Sequence, residues 1–188
     1  MPDSLAALEP VLVSPLCGVV RELRRIHKDP SEPLEPFIYR AELSNHLFQS
    51  GDDATALHCS GKGFSDEEAR TSALGEALER YGGSCQPRDG IHVARRADLD
   101  GESLDPRALV LYADFQYPEL PYARYEPQTE IGWVRGRRWG DDAAVWIPAV
   151  GVLLAYEVRQ HGEYLCPLTS NGLAAGPTFD AADATTSP

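Results

Sequence analysis

The strongest alternation of apolar and polar positions lies in "GFSDEEARTSALGEALERYGG", Gly63 to Gly83. Ser65 stands three residues before Glu68, the spacing of a capping box, and Asp66 and Glu67 suit the positive end of a helix dipole. Gly82-Gly83 can close the far end in a left-handed conformation. The pattern therefore predicts a helix over 65–81. With Ser72 at zero and about 100° per residue, Glu76 falls at ~40° and Glu79 at ~340°, whereas Leu74, Ala77, Leu78 and Tyr81 fall between roughly 140° and 240°. One side should enter a core, leaving Ser72, Glu76 and Glu79 together on the other.

Around this helix the pattern is shorter in period. "FIYRAELS" alternates as a strand, and "ATALHCS" reads as a second strand ending at a Gly61-Lys62-Gly63 turn. "SPLCGVVRELRRIHK" opens at a Ser14-Pro15 start and reads as an amphipathic helix or an irregular helix-to-strand transition. Residues 28–36 form a proline-rich connector. Between Gln86 and Gln128 periodicity is weak, which predicts one or two short helices in irregular surface structure. Residues 129–158 read as a long hairpin turning at Gly140-Asp141-Asp142, with Pro148 marking an edge or a bulge. Trp133, Trp139 and Trp146 are expected in core and edge packing rather than in a ligand cage. Near the C-terminus, Gly176-Pro177-Thr178-Phe179-Asp180-Ala181-Ala182 echoes Gly63 to Ala69, which predicts a second helix beginning near Thr178.

Composition narrows the classes. The 188 residues are 43% hydrophobic and 24% charged, as in a soluble globular domain or part of a larger one. No apolar run is long enough to span a bilayer, and the N-terminus carries no basic leader, so a cytoplasmic protein is expected. Cys17, Cys59, Cys85 and Cys166 are scattered without a C-x-x-C pair, which reads as reduced, partly buried thiols. His27, His46, His58, His92 and His161 lack zinc-ligand spacing. A net charge of -12 argues against a nucleic-acid partner, and the basic runs at 21–28 and 135–138 are too short to reverse it. Any phosphate handled here calls for a metal ion to offset its charge.

The stripe on the long helix could supply that ion. Carboxylates three residues apart are surface neighbours, and a divalent cation held between them would relieve their repulsion. Magnesium commonly combines one or two carboxylates with substrate phosphates. The same stripe would equally suit an ordinary solvated helix face. Gly61-Lys62-Gly63 is not a Walker A loop, because that motif requires Ser or Thr after the lysine and Gly63 stands there.

"SGKG", "TSALGEALERY" with its S-x-x-x-E-x-x-E-R pattern, and "TSNGLAAGPT" together resemble the YcaO family. With "SPLCGVV" and "VWIPA" they are similar to its azoline-forming cyclodehydratases, the D proteins of ribosomal peptide (RiPP) biosynthesis that make thiazole/oxazole-modified microcins. The resemblance implies an α+β fold, an antiparallel sheet with packed helices, incomplete in this chain. It makes residues 1–188 the N-terminal part, about half, of a YcaO domain, with a T-S-N-G loop at 169–178. It also implies ATP and Mg2+ as cofactors. Ser72 then looks like a nucleotide contact, and Glu76 and Glu79 like magnesium ligands bridging to phosphate. Arg80 would contact phosphate or orient the carboxylates, and Lys62 matches the family's Gly-Lys-Gly lysine.

The implied reaction is ATP-driven cyclodehydration of Cys, Ser or Thr in a precursor peptide. The side chain attacks the preceding carbonyl, the amide oxygen takes the γ-phosphoryl group, and elimination leaves a thiazoline or oxazoline. The implied partners are that ribosomally made peptide and a leader-binding E1-like protein, and a homodimer is allowed. Two other outcomes remain open: thioamide or amidine formation, and a truncated, non-catalytic binding or scaffold protein. The family pattern has glutamate where Ala181 stands and glutamine where Thr185 stands, with a second E-x-x-E-R beyond. Poor turnover by this chain alone is the expectation.

Overall fold

The protein is described by a computed structural model covering residues 5–27, 29, 31, 36–44, 58–84, 90–109, 112–176 and 178–186. It divides into two compact units, one of Met1–Cys85 with Asn171–Pro188 and one of Gln86–Ser170. Most of the 28–36 connector, residues 54–57 of the expected second strand, and Cys85 and His46 lie outside the described residues.

The first unit holds α1 (Glu9–Leu12), β1 (Val20–Arg25), β2 (Phe37–Leu43), β3 (His58–Gly63) and α2 (Asp66–Ser84). The three strands form an antiparallel sheet in the order β1-β2-β3, and α2 packs on one of its faces. The expected capping box forms: the Ser65 Oγ accepts from the Glu68 N–H at 3.2 Å, and the Glu68 Oε2 accepts from the N–H groups of Ser65 and Phe64. The helix runs through Gly82-Gly83 to Ser84 instead of stopping at the glycines, neither of which adopts a positive φ. Tyr81, packed against the core, and buried Ser84 hold this last turn in place. At the N-terminus, Ser14 accepts from the N–H groups of Leu16 and Cys17 and so closes a turn. The chain then enters β1, so the helix-to-strand transition holds and the amphipathic helix does not.

The buried stripe of α2 differs from the expected one. Ala69, Ala73, Leu74 and Ala77 are fully buried, whereas Leu78 is only partly covered. The cause lies in β3. Gly61 and Gly63 belong to the strand itself rather than to a turn beyond it. A Cβ on Gly61 would stand 2.1 Å from the Ala73 backbone nitrogen, and one on Gly63 would stand 2.5 Å from the Glu68 Cβ. Strand and helix backbones therefore touch, and only alanines fit between them. Gly61→Ala is expected to destabilise the protein by about 1–3 kcal/mol through overpacking, read as a lower denaturation midpoint at unchanged m-value.

The echo of this arrangement near the C-terminus is real. Helix α3 (Phe179–Thr186) belongs to the first unit, and the Ala181 N–H donates to the Thr178 Oγ1 at 3.2 Å. A Cβ on Gly176 would stand 2.6 Å from the Ala182 nitrogen, just as one on Gly63 would meet the Ala69 nitrogen at 2.7 Å. The aligned glycines thus sit equally close to the aligned alanines six residues on.

The second unit is built on β4 (His92–Ala94), β5 (Ile131–Arg137) and β6 (Ala144–Pro148), antiparallel in that order. The hairpin turns at the expected place, with Gly140 at φ 99° and Asp142 at φ 57°. It is shorter than expected: β6 ends at Pro148, and Ala149–Gly151 is a 3-10 turn. Pro148 sits on an edge strand, where its missing N–H costs no ladder bond. Among the described residues, the Gln86–Gln128 stretch supplies β4 and three 3-10 turns, where the sequence pattern predicts one or two short helices. Trp133 is fully buried and donates from its ring nitrogen to the Ala94 carbonyl, and Trp146 is buried and stacks on His92. Trp139 is the exception among the three, 69% exposed.

Candidate functional site

Helix α2 turns its uncovered side toward a cavity of about 450 Å³. Thr71, Ser72, Gly75, Glu76, Glu79 and Arg80 line one wall, and Leu5 and Ala175 contribute the others. Four of the five candidate residues, Ser72, Glu76, Glu79 and Arg80, therefore come together. Their convergence follows from helix geometry, since positions three and four apart share a face.

Arg80 sits between the two carboxylates. Its Nη2 lies 3.3 Å from the Glu76 Oε1, and its Nε lies 3.9 Å from the Glu79 Oε1. Glu79 is the more enclosed acid, with its side chain 20% exposed. Burial holds its carboxyl above the ordinary range, Arg80 opposes this, and the Glu76 charge adds to it. Cys59, buried on β3, feels the same charges. Burial and then Glu76 push its thiol up to about 11, with Arg80 opposing and Glu79 adding. Such a thiol stays protonated and behaves as a small apolar group beneath the acids.

Lys62 does not join them. Neighbouring residues on a strand face opposite ways. Gly61 faces α2, so Lys62 projects from the other face of the sheet, where it is exposed. The sequence alone missed Leu5, Thr71, Gly75 and Ala175 as walls. Thr71 and Gly75 flank the acidic stripe on the same helix and could have been read from its angles. Leu5 and Ala175 arrive from distant segments, and no local signal marks them.

Two carboxylates beside an open cavity fit what Mg2+ takes from a protein when phosphate oxygens complete its coordination. The raised Glu79 carboxyl fits as well, because a cation would relieve the repulsion that Glu76 adds. Among the described residues no group of three His, Cys, Asp or Glu gathers to enclose a metal. Further ligands would come from phosphate or from outside the described residues. Cys17 is exposed, against expectation, while Cys59 and Cys166 are buried, and all three are free.

The family model "YcaO cyclodehydratase, ATP- and Mg2+-binding" matches residues 60–184, a stretch that contains β3 from Ser60 onward, all of α2 and Ala175. An uncharacterized protein of Methanothermobacter thermautotrophicus is 31% identical over 125 residues, covering 66% of this chain and 29% of that protein. A solved heterocyclase in complex with substrate and cofactor superposes with a TM-score of 0.76 at 28% identity, over 94% of this chain and 25% of the other. YcaO from Methanopyrus kandleri bound with AMPPCP and Mg2+ shares the fold, with a TM-score of 0.60 at 19% identity over 96% of this chain and 37% of that one. The fold and the matched family model define an ATP- and Mg2+-binding class of proteins. The chain belongs to the YcaO family. It spans between 25% and 37% of the length of these three relatives. No helix among the described residues is long and apolar enough to cross a membrane.

Proposed function

We propose that this chain supplies one wall of an ATP–Mg2+ site in a cyclodehydratase that converts Cys, Ser or Thr of a ribosomal precursor peptide into thiazoline or oxazoline. The observation that carries this reading is the pairing of Glu76 and Glu79, both within the family-matched stretch, on the face of α2 that lines a cavity. A heterocyclase that binds substrate and cofactor is among its structural neighbours, which favours azoline formation over the thioamide alternative.

In this reading Glu76 and Glu79 would hold magnesium, which would supply the positive charge that offsets phosphate an acidic protein otherwise repels. Ser72 contacts the nucleotide. Arg80 keeps the two carboxylates side by side and carries positive charge toward the phosphates. The protein's share of the reaction is to place the amide oxygen and the γ-phosphoryl group in line and to exclude water. Lys62, on the opposite sheet face, has no part in this cavity. The leader-binding E1-like partner and a cytoplasmic setting belong to the same proposal.

The test is incubation of the full chain with ATP, Mg2+, a Cys/Ser/Thr-containing precursor peptide and the leader-binding partner, followed by mass spectrometry. Loss of one water per modified residue, dependent on ATP, is expected wherever turnover occurs. Exchange of oxygen for sulfur would replace this reading with the thioamide one. Binding of ATP without any turnover would point to a scaffold.

A further inference from the structure

The lining of the cavity beside α2 includes Leu5, which lies outside the family-matched stretch. Its neighbour there is Gly75, whose Cβ, were one present, would approach the Leu5 Cδ1 to 3.4 Å. Leu5, Gly75 and Ala175 are the apolar members of a lining that also holds Ser72, Glu76, Glu79 and Arg80. Leu5 is buried, although it stands on a single 3-10 turn, Leu5–Leu8, that could not hold its place alone.

Something holds that turn. It runs directly into α1, whose first residue, Glu9, makes a two-pronged ion pair with Arg70 of α2. The Arg70 Nε donates to the Glu9 Oε2 at 3.0 Å, and the Arg70 Nη2 donates to the Glu9 Oε1. Arg70 is itself fixed on two further sides. Its guanidinium lies 5.4 Å from the centre of the Tyr39 ring, and its Nη1 lies 3.8 Å from the Asp66 Oδ2. The Tyr39 hydroxyl donates to the other Asp66 oxygen at 2.8 Å, which closes the loop of contacts on β2. At four residues and about 2 Å per residue, Glu9 lies within ~8 Å of Leu5 along the turn. The position of Glu9 therefore sets the position of Leu5.

We propose that Glu9 and Arg70 are positioning residues for the nucleotide cavity. They clamp the N-terminal segment to α2 so that Leu5 forms a fixed apolar wall of the cavity that the ligand packs against. This inference rests on the nucleotide reading of the cavity given above. A wall held in place before the ligand arrives spares the ligand the cost of ordering it, so the clamp acts on affinity. The pair is partly exposed, with side chains 23% and 37% accessible, so its loss should leave the fold standing.

The experiment measures binding of AMPPCP with Mg2+ to the full chain by calorimetry, beside hydrogen exchange at the Val13 amide, which donates to the Glu9 carbonyl. Glu9→Ala and Leu5→Ala are each expected to weaken binding about fivefold, and the double variant no further, because both act through one wall. Glu9→Asp should recover part of the loss, and Val13 should exchange faster in Glu9→Ala. Additive losses in the double variant, or unchanged affinity in Glu9→Ala while Glu76→Gln/Glu79→Gln weakens binding about 100-fold, would overturn the clamp and leave the cavity reading intact. No binding by the wild-type chain would overturn the cavity reading, and the clamp with it.

Discussion

Replacing Glu163 by alanine is expected to lower the unfolding free energy of the second unit by about 3–5 kcal/mol, a larger loss than Gly61→Ala should cause in the first. Glu163 is fully buried between β5 and the chain that follows β6. Its Oε1 accepts from the Gly132 N–H at 2.5 Å, from the Arg159 Nη2 at 2.8 Å, and from the Tyr156 hydroxyl. Its Oε2 accepts from the Arg159 backbone N–H and from the Arg159 Nε, each at 3.1 Å. The alanine variant would leave a buried phenol and a strand N–H without an acceptor, each costing about 1–3 kcal/mol. Gly132 could not yield space, because a Cβ there would stand 2.2 Å from the Tyr156 oxygen.

The same cluster predicts a pH dependence. Burial alone would raise the Glu163 carboxyl, but hydrogen bonds from Arg159, Tyr156 and Gly132 outweigh it and hold the carboxyl below its ordinary value of 4.5. A lowered folded value means that the stabilisation is complete above about 4.5 and disappears as pH falls through the folded value. The Tyr156 phenol is displaced upward by burial and by its bond to Glu163, so its contribution is complete below 10 and lost at higher pH. Glu163→Gln should therefore flatten the acid limb of a thermal-midpoint profile. A profile identical to the wild type's would show that the carboxylate is not what the second unit relies on.

Nothing near Glu163 announces this role. "RQHGEYLCP" is a polar stretch without period, and the partners Gly132 and Tyr156 are 31 and 7 residues away in sequence. Helix α2 is the opposite case, since Ser65, Glu68 and the acidic stripe are all local signals that physics translates directly. Even there the choice of buried face depended on β3. The side chains of Leu78 and Tyr81 look like the core, yet alanines won because Gly61 and Gly63 bring the backbones together. Lys62 changes face for the same reason: the sequence reads it as part of a turn, whereas it stands on the strand, on the face opposite α2. Strand β4, three residues long and headed by a histidine, exists only because β5 offers it an edge. The cavity's acidic wall was legible because one helix carries all of it, whereas the walls from Leu5 and Ala175 are products of tertiary structure.

That single-helix origin makes the acidic wall the sharpest place to test function. Glu76→Gln with Glu79→Gln is expected to weaken Mg2+–AMPPCP binding by about 100-fold, or about 2.7 kcal/mol, the scale of losing two charge-assisted contacts. Omitting Mg2+ should erase the difference or invert it, because the two glutamates then only repel phosphate. The Glu79 carboxyl, raised by burial and by Glu76, sharpens the expectation further. A raised folded value contributes stability below the ordinary 4.5 that is lost as pH rises through the folded value, so the charged form of Glu79 weakens the fold. Glu79→Gln alone should then stabilise the metal-free fold slightly, by up to about 0.5 kcal/mol, read as a higher thermal midpoint, while lowering nucleotide affinity. Protons also compete with the cation at Glu79, so affinity should decline with falling pH earlier than for an ordinary glutamate. A variant that kept wild-type affinity in Mg2+, or lost it equally without Mg2+, would mean that these carboxylates decorate a surface helix and hold no metal.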